Sequence, residues 1–153
     1  FSSKIKSIDL LGEDLKEAFS PMSVTMTLED DIDISRGDMI VRPNNQPKSL
    51  QDIDVMLCWL NNSPARPNAK YLIRHTSNEA RCMIKDIVYK VDINTLHRIE
   101  DDKNIGMNDI LRVKLRTTRP LFVDDYNDNR NTGSIILIDE ATNETVAAGM
   151  IRG

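Results

Sequence analysis

Residues 109–116 read Asp-Ile-Leu-Arg-Val-Lys-Leu-Arg, and this stretch decides the fold class. Apolar side chains stand at positions 111, 113 and 115, and basic ones stand between and after them. Successive side chains of a β-strand point to opposite faces of the sheet, so strict alternation indicates a strand that is buried on one face only. The stretch therefore predicts a strand with its leucine and valine side chains in a core and its charges in water.

Other segments show the same strand character. Residues 24–28 alternate between apolar residues and threonine, residues 54–60 are almost continuously apolar, and residues 134–139 and 145–151 flank a turn at 140–143. Further strands are predicted at residues 4–8, 39–41, 71–75 and 82–93, the last with an irregularity near Asp86 and the second after a turn at Gly37. Since no amphipathic helix of four turns appears, these segments predict an all-β protein, an antiparallel barrel or sandwich.

Three segments interrupt this pattern. Residues 13–19 have a helical composition but allow at most two turns, so a short helix and a loop with one helical turn both stay open. Residues 42–49 are polar and carry two prolines, which is typical of a linker. Pro64 and Pro67 exclude a central strand or a helix from residues 61–68.

Composition excludes several classes of function. The chain has 153 residues, 24 acidic and 20 basic side chains and a formal net charge of -4, without a basic cluster, so nucleic acid is not an expected partner. No apolar run reaches the length of about 20 residues that a membrane span needs, and the first eight residues do not resemble a signal peptide. We therefore expect a cytoplasmic protein with no membrane partner, and, because the chain starts at Phe1, a piece of a longer one.

The sequence also lacks the motifs of several catalytic and ligand sites. No two of its six glycines have the spacing of a phosphate-binding Gly-x-x-x-x-Gly-Lys-Ser/Thr loop, and neither His75 nor His97 has a second ligand at zinc-site spacing. Cys58 and Cys82 either form a disulfide or are two small buried hydrophobic residues. A small enzyme that uses Cys82 or a pair of adjacent carboxylates is a further alternative, but no nucleophile motif supports it.

Three segments, taken in order, carry a resemblance to a known family. They are residues 28–41, Leu-Glu-Asp-Asp-Ile-Asp-Ile-Ser-Arg-Gly-Asp-Met-Ile-Val; residues 91–94, Val-Asp-Ile-Asn; and Asp125-Tyr126 with Asn129, Thr132 and Gly133, leading to residues 136–150, Ile-Leu-Ile-Asp-Glu-Ala-Thr-Asn-Glu-Thr-Val-Ala-Ala-Gly-Met. They resemble the region that follows the GTPase domain in subunit 1 of bacterial sulfate adenylyltransferase, the large subunit of ATP sulfurylase. The chain departs from the family pattern at Asn129-Arg130, where Asn-Pro is expected, and at Thr132-Gly133-Ser134, where Thr-Gly-Gly is expected.

This resemblance implies an elongation factor Tu-like architecture. Residues 1–45 would be the C-terminal part of a domain II-like β-barrel, with strand 39–41 as its last, and residues 46–153 a domain III-like, antiparallel Greek-key barrel. The region would be non-catalytic and inactive alone. In the whole complex, ATP and sulfate give adenosine 5'-phosphosulfate and pyrophosphate, coupled to GTP hydrolysis. No cofactor is expected in these residues, since GTP and Mg would bind in the missing GTPase domain.

The implied partners are the small subunit and the chain's own GTPase domain. An incomplete first barrel predicts an open edge that either self-associates with a second copy or packs against the domain III-like barrel. The predicted partner interface is the segment 124–133, because tyrosine and arginine are enriched at interface cores. Its candidate residues are Tyr126, Asn129, Arg130, Thr132 and Gly133. The alternative for this segment is an ordinary connection between strands. The alternatives for the function are the β-barrel domains of another translational-type GTPase and a stand-alone interaction module. Whether the full protein carries a fused adenylylsulfate kinase stays open.

Overall fold

The computed structural model describes residues 1–66 and 68–153. Pro67, one of the two prolines that predict no central strand or helix in residues 61–68, lies outside the described residues. The described residues form β-strands only, in two compact units, Phe1–Ser35 and Arg36–Gly153. The strands are β1 (Ile5–Leu10), β2 (Glu13–Leu15), β3 (Thr25–Leu28), β4 (Lys48–Trp59), β5 (Lys70–His75), β6 (Asn78–Val91), β7 (Arg98–Ile99), β8 (Ile110–Val123), β9 (Ser134–Asp139) and β10 (Thr145–Arg152). The all-β prediction is confirmed.

The second unit is a closed antiparallel barrel. Its strand order is β5-β9-β10-β4-β8-β6, and β5 pairs with β6 to close the ring. Strands that are not consecutive in sequence are neighbours, and β4 lies between β10 and β8. Closure of this kind removes free sheet edges, so the barrel needs no further strand to satisfy its backbone hydrogen bonds.

Alternating side chains fill the barrel. Leu111, Val113 and Leu115 are fully buried, while Arg112, Lys114 and Arg116 lie on the outer face, as residues 109–116 predict. The ring of Trp59 meets that of Tyr71 edge to face at 5.7 Å, and the indole Nε1 donates to the carbonyl oxygen of Ser63 at 2.9 Å. Aromatic pairs prefer this geometry, so the two rings fix the packing at one end of the core.

The first unit is a three-stranded antiparallel sheet of order β2-β1-β3. Val24, Met26 and Leu28 are half-buried and alternate with exposed Thr25 and Thr27, which confirms the strand predicted there. Among residues 1–35, however, none is fully buried. The short sheet therefore has an apolar face but no closed core of its own.

The structure corrects the prediction for residues 13–19. Glu13–Leu15 is a strand that pairs with β1, not a helical segment, because Leu11 and Gly12 form the two-residue loop between Leu10 and Glu13. Both loop residues have positive φ, 54° and 91°, which is the backbone geometry of a type I′ hairpin turn. The turn thus overrides the weak helical preference of the residues after it.

Two further predictions are wrong. Residues 39–41 form no strand; Ile40 and Val41 are exposed, and the turn before them holds only an isolated bridge between Arg36 and Asp38. Gly37 does have the predicted positive φ, 103°. The linker also ends earlier than predicted, because Lys48 and Ser49 already pair with Val123 and Phe122 in the barrel.

The remaining strand predictions hold with shifted ends. β6 starts at Asn78, before the predicted residue 82, and its register shifts between Ile84 and Asp86, where the irregularity was expected. Cys58 is half-buried and Cys82 buried, and both thiols are free rather than joined in a disulfide. Within the two described ranges, no helix has the length and apolarity that crossing a membrane takes.

Candidate interaction surface

The predicted interface residues lie on one loop, residues 124–133, which connects β8 to β9 and is called the interaction loop below. Asp125 organises its first half. Its carboxylate accepts from the backbone N–H groups of Asn127 at 2.7 Å and Gly153 at 2.8 Å, and its carbonyl oxygen accepts from the N–H groups of Asp128 and Asn129, both at 3.0 Å. The N–H of Gly153, then that of Asn127, lowers the pKa of the Asp125 carboxyl, because both bonds favour the ionised form.

The loop is also hydrogen-bonded to the last strand. The N–H of Tyr126 donates to the carbonyl oxygen of Ile151 at 3.0 Å, and the N–H of Ile151 donates to that of Gly133 at 2.8 Å. Gly133 is buried against the other arm of the loop, where an added Cβ would lie 2.4 Å from the Tyr126 Cα. Only glycine fits at that distance, so Gly133 sets the shape of the loop and does not itself offer a surface to a partner.

Thr132 ties the other end of the loop to the barrel. Its hydroxyl donates to the carboxylate of Asp124 at 2.6 Å, and its carbonyl oxygen lies 2.6 Å from Nε2 of His75, a buried ring on β5. His75 thus serves as a hydrogen-bonding partner of the loop backbone. Nothing in the sequence pattern pointed to this contact, because residues 75 and 132 are brought together only by barrel closure.

The outward part of the loop is polar with one stacked cation. The guanidinium of Arg130 lies over the half-buried ring of Tyr126 at 5.9 Å, and Asn129 and Arg130 are exposed. A cation–π contact at an exposed site contributes about 0.5–1 kcal/mol, so the attraction between these two side chains is weak. The five predicted residues are therefore brought together in one loop, but only Tyr126, Asn129, Arg130 and Thr132 have surface to present.

Outside the interaction loop, we considered three kinds of feature among the described residues: metal sites, pockets and reactive thiols. Within residues 1–66 and 68–153, no group of three His, Cys, Asp or Glu side chains could hold a metal ion. An open depression of about 390 Å³ lies at one barrel end between Asn61 and Val146, where Arg66 pairs with Asp139 at 2.9 Å. Burial raises the pKa of the Cys82 thiol to about 12, so its reactive thiolate form is disfavoured at neutral pH.

Solved structures share this fold. The chain superimposes on "Crystal Structure Analysis of sup35 complexed with GDP" with a TM-score of 0.85 over 98% of this chain and 37% of that one, at 16% sequence identity. A second structure, of sup35 complexed with GMPPNP, gives a TM-score of 0.83 at 15% identity. The molecule therefore shares its fold with part of these sup35 chains.

Residues 52–152 match the family model described as GTP-eEF1A C-terminal domain-like, which spans the barrel almost from end to end. The chain belongs to this family. Membership confirms the elongation factor Tu-like barrel that the sequence resemblance implied.

Curated relatives show a more specific similarity than the family model does. The chain is 46% identical over 98% of its length to "Bifunctional enzyme CysN/CysC" of Mycobacterium tuberculosis, and 42% identical over 98% to "Sulfate adenylyltransferase subunit 1" of Bacteroides thetaiotaomicron. It spans 25% and 33% of these relatives, respectively. The resemblance to subunit 1 of sulfate adenylyltransferase is thus confirmed, over about a quarter to a third of such a protein.

Proposed function

We propose that this chain is a non-catalytic barrel region of the GTPase subunit of a sulfate adenylyltransferase, acting in the cytoplasm in the activation of sulfate. The observation that carries the proposal is the match at 42–46% identity over 98% of the chain to relatives of that name. The sequence contains no phosphate-binding glycine loop. GTP and Mg would therefore bind in the part of such a protein that lies outside these residues.

The domain assignment belongs to the same proposal. The family match begins at residue 52, which supports a domain III-like barrel from about residue 46 onward. The three-stranded sheet of residues 1–35 would correspond to part of a domain II-like barrel. Its half-buried apolar face, and the outer edges of β2 and β3, which pair with no other strand among the described residues, are what an incomplete barrel would expose.

The interaction loop is the proposed contact with the small subunit. It presents an aromatic ring and a guanidinium that lie close together on a backbone fixed by the hydrogen bonds of Asp125 and Tyr126. A preorganised backbone loses little conformational entropy on binding, and tyrosine and arginine dominate binding energy at many interfaces. Those properties suit this loop to partner recognition better than a flexible connection.

A binding measurement tests the proposal. Purified small subunit is titrated onto the immobilised native chain and, separately, onto its Tyr126→Ala and Arg130→Glu variants. We expect binding by the native chain and at least about tenfold weaker binding by each variant, the size of an ordinary hot-spot loss. Arg98→Glu is the matched control, because Arg98 also stacks on a tyrosine, Tyr89, at 4.6 Å but lies outside the loop.

Two results would contradict different parts of the proposal. Binding that resists both loop variants would place the contact elsewhere while leaving the assignment to the GTPase subunit intact. GTP hydrolysis by the purified chain, or no retention of the small subunit by the chain joined to its GTPase domain, would overturn the assignment itself.

A further inference from the structure

The open depression of about 390 Å³, called the cleft below, lies at the barrel end opposite to the interaction loop. Its walls are the segment after β4 and the turn between β9 and β10, whereas the interaction loop precedes β9 and is bonded to the end of β10. A strand of six residues such as β9 is about 20 Å long, so the two surfaces lie far apart. A ligand in the cleft therefore leaves the interaction loop free.

Hydrogen bonds fix the first wall of the cleft. The side-chain amide of Asn61 donates to the carboxylate of Glu144 at 3.0 Å, and its oxygen accepts from the N–H of Ser63 at 2.8 Å. The carbonyl oxygen of Ser63 accepts in turn from the buried indole of Trp59 at 2.9 Å. The position of Glu144 is thus connected to the barrel core through hydrogen bonds.

Asp139 fixes the opposite wall. Its carboxylate accepts from the backbone N–H groups of Ala141 at 2.8 Å and Thr142 at 3.3 Å, and from the guanidinium of Arg66 at 2.9 Å. The N–H of Ala141, more than the other two donors, lowers the pKa of the Asp139 carboxyl, because these bonds favour the ionised form. Asp139 is therefore a negative charge that is already hydrogen-bonded and already offset by Arg66.

The cleft retains one negative charge above an apolar floor. Arg66 and Asp139 offset each other, whereas Glu144 forms no salt bridge among the residues that the structure describes, and its hydrogen-bond partner is a neutral amide. The floor is formed by Val146 and the ring of Tyr71, which are 4% and 2% exposed. The occupant that matches this surface is a cation on an apolar stem.

An arginine side chain combines these properties. Its aliphatic stem can cover apolar surface while the guanidinium stays at the rim, and the planar guanidinium fork matches a carboxylate better than an ammonium does. Small-molecule sites commonly have volumes of about 300–1,000 Å³, so the cleft is near the lower limit and suits one side chain that enters from solvent.

We propose that the cleft is a binding site for an arginine side chain presented by a second protein, with Glu144 as the residue that binds the guanidinium. Each wall is held in place before the ligand arrives, so binding orders few groups of this chain. The site shares no residue with the interaction loop, so it stands independently of the proposed function.

Titration with a blocked arginine tests this site. N-acetyl-arginine methylamide is added to the isotope-labelled 153-residue chain, and the NMR signals of the Asn61 side-chain amide and of the Thr142 and Glu144 backbone amides are followed. We expect saturable shifts with a dissociation constant of about 1–10 mM, because one side chain buries little surface and an exposed ion pair contributes little. N-acetyl-citrulline methylamide, the neutral isostere, should bind at least about threefold more weakly.

Two variants make the test specific to Glu144. Glu144→Gln keeps the length of the side chain but removes its charge, and should weaken binding of the blocked arginine at least about threefold. Glu140→Gln is the matched control, because Glu140 lies in the same turn but pairs with Arg81 at 2.5 Å, and it should leave binding unchanged. The fluorescence of Trp59 reports whether each variant is folded.

Free arginine separates a protein-borne side chain from the free amino acid. Blocked arginine should bind at least as tightly as free arginine, because the cleft is proposed to recognise the side chain and not the α-ammonium and α-carboxylate groups. Free arginine that binds more than about threefold more tightly would overturn the assignment to a protein side chain. Shifts that do not saturate by about 50 mM, equal binding of the blocked citrulline, or unchanged binding by Glu144→Gln would overturn the site itself.

Discussion

Gly133 fixes the geometry of the interaction loop at the scale of one residue. Because its missing side chain would fall 2.4 Å from the Tyr126 Cα, Gly133→Ala must push the two arms of the loop apart. We expect a loss of about 1–3 kcal/mol in the free energy of unfolding, the usual cost of overpacking. Urea unfolding followed by Trp59 fluorescence measures it.

The matched control for this change is Gly106→Ala. At Gly106 an added Cβ has only an ordinary contact, 3.7 Å from a carboxylate oxygen of Asp109, and the backbone has no positive φ. Its unfolding free energy should change by less than about 0.5 kcal/mol, as for most surface substitutions. Equal losses for the two variants would refute the steric role of Gly133.

Asp125 gives the loop a dependence on pH. Its hydrogen bonds from Gly153 and Asn127 lower its pKa in the folded state below the ordinary Asp value of about 3.9. Its stabilising contribution is therefore complete above that value and is lost as the pH falls through the lower folded pKa. We expect Asp125→Asn to reduce stability at pH 7, with the difference from the native chain shrinking below about pH 4.

Urea midpoints at pH 7, 5, 4 and 3 would follow this effect. Asp128→Asn serves as the comparison, because in the part of the chain that the structure describes the Asp128 side chain makes no hydrogen bond. A difference for Asp125→Asn that stays constant from pH 7 to pH 3 would exclude a role for its ionisation.

At the scale of elements, the sequence predicts strands well where side-chain alternation is coupled to burial. Residues 109–116 sit inside β8 because three apolar side chains every second position can only be buried together in an extended chain. The same reasoning fails at residues 39–41, where Ile40 and Val41 look like strand residues but find no partner strand and stay exposed. Local pattern describes preference, whereas a strand also requires a neighbour that supplies hydrogen bonds.

The β1–β2 hairpin offers a test of turn chemistry. A type I′ turn favours Asn-Gly, because both residues need positive φ, yet this turn is Leu11-Gly12 with Leu11 98% exposed. We expect Leu11→Asn to stabilise the hairpin, raising the hydrogen-exchange protection of the β1 and β2 amides severalfold. Leu11→Ala removes the same side chain without gaining a preference for positive φ, and protection that rises equally in both variants would contradict the turn explanation.

At the scale of the whole molecule, barrel closure accounts for what the sequence could not predict. The five candidate residues lie on one loop, but the anchoring of that loop by His75 and by Ile151 depends on strands that are distant in sequence. The type of each residue can be read directly from the sequence, whereas the pairing register of the strands decides which residues lie side by side.

Burial is distributed unequally between the two units, and this predicts unequal stability. All the fully buried hydrophobic residues that the structure describes lie between Ile53 and Ile151, and residues 1–35 contribute none. Because apolar burial is the main favourable contribution to folding, amides of β4, β8 and β10 should exchange only on global unfolding, and those of β1–β3 through local opening at least about a hundredfold faster. Native-state hydrogen exchange in low urea separates the two classes of amide.

Val113→Ala, a cavity-forming change in the barrel, should accelerate exchange in β4 and β8 and leave the rates of β1–β3 unchanged. Rates that rise together in both units would show that the molecule unfolds as one cooperative body instead.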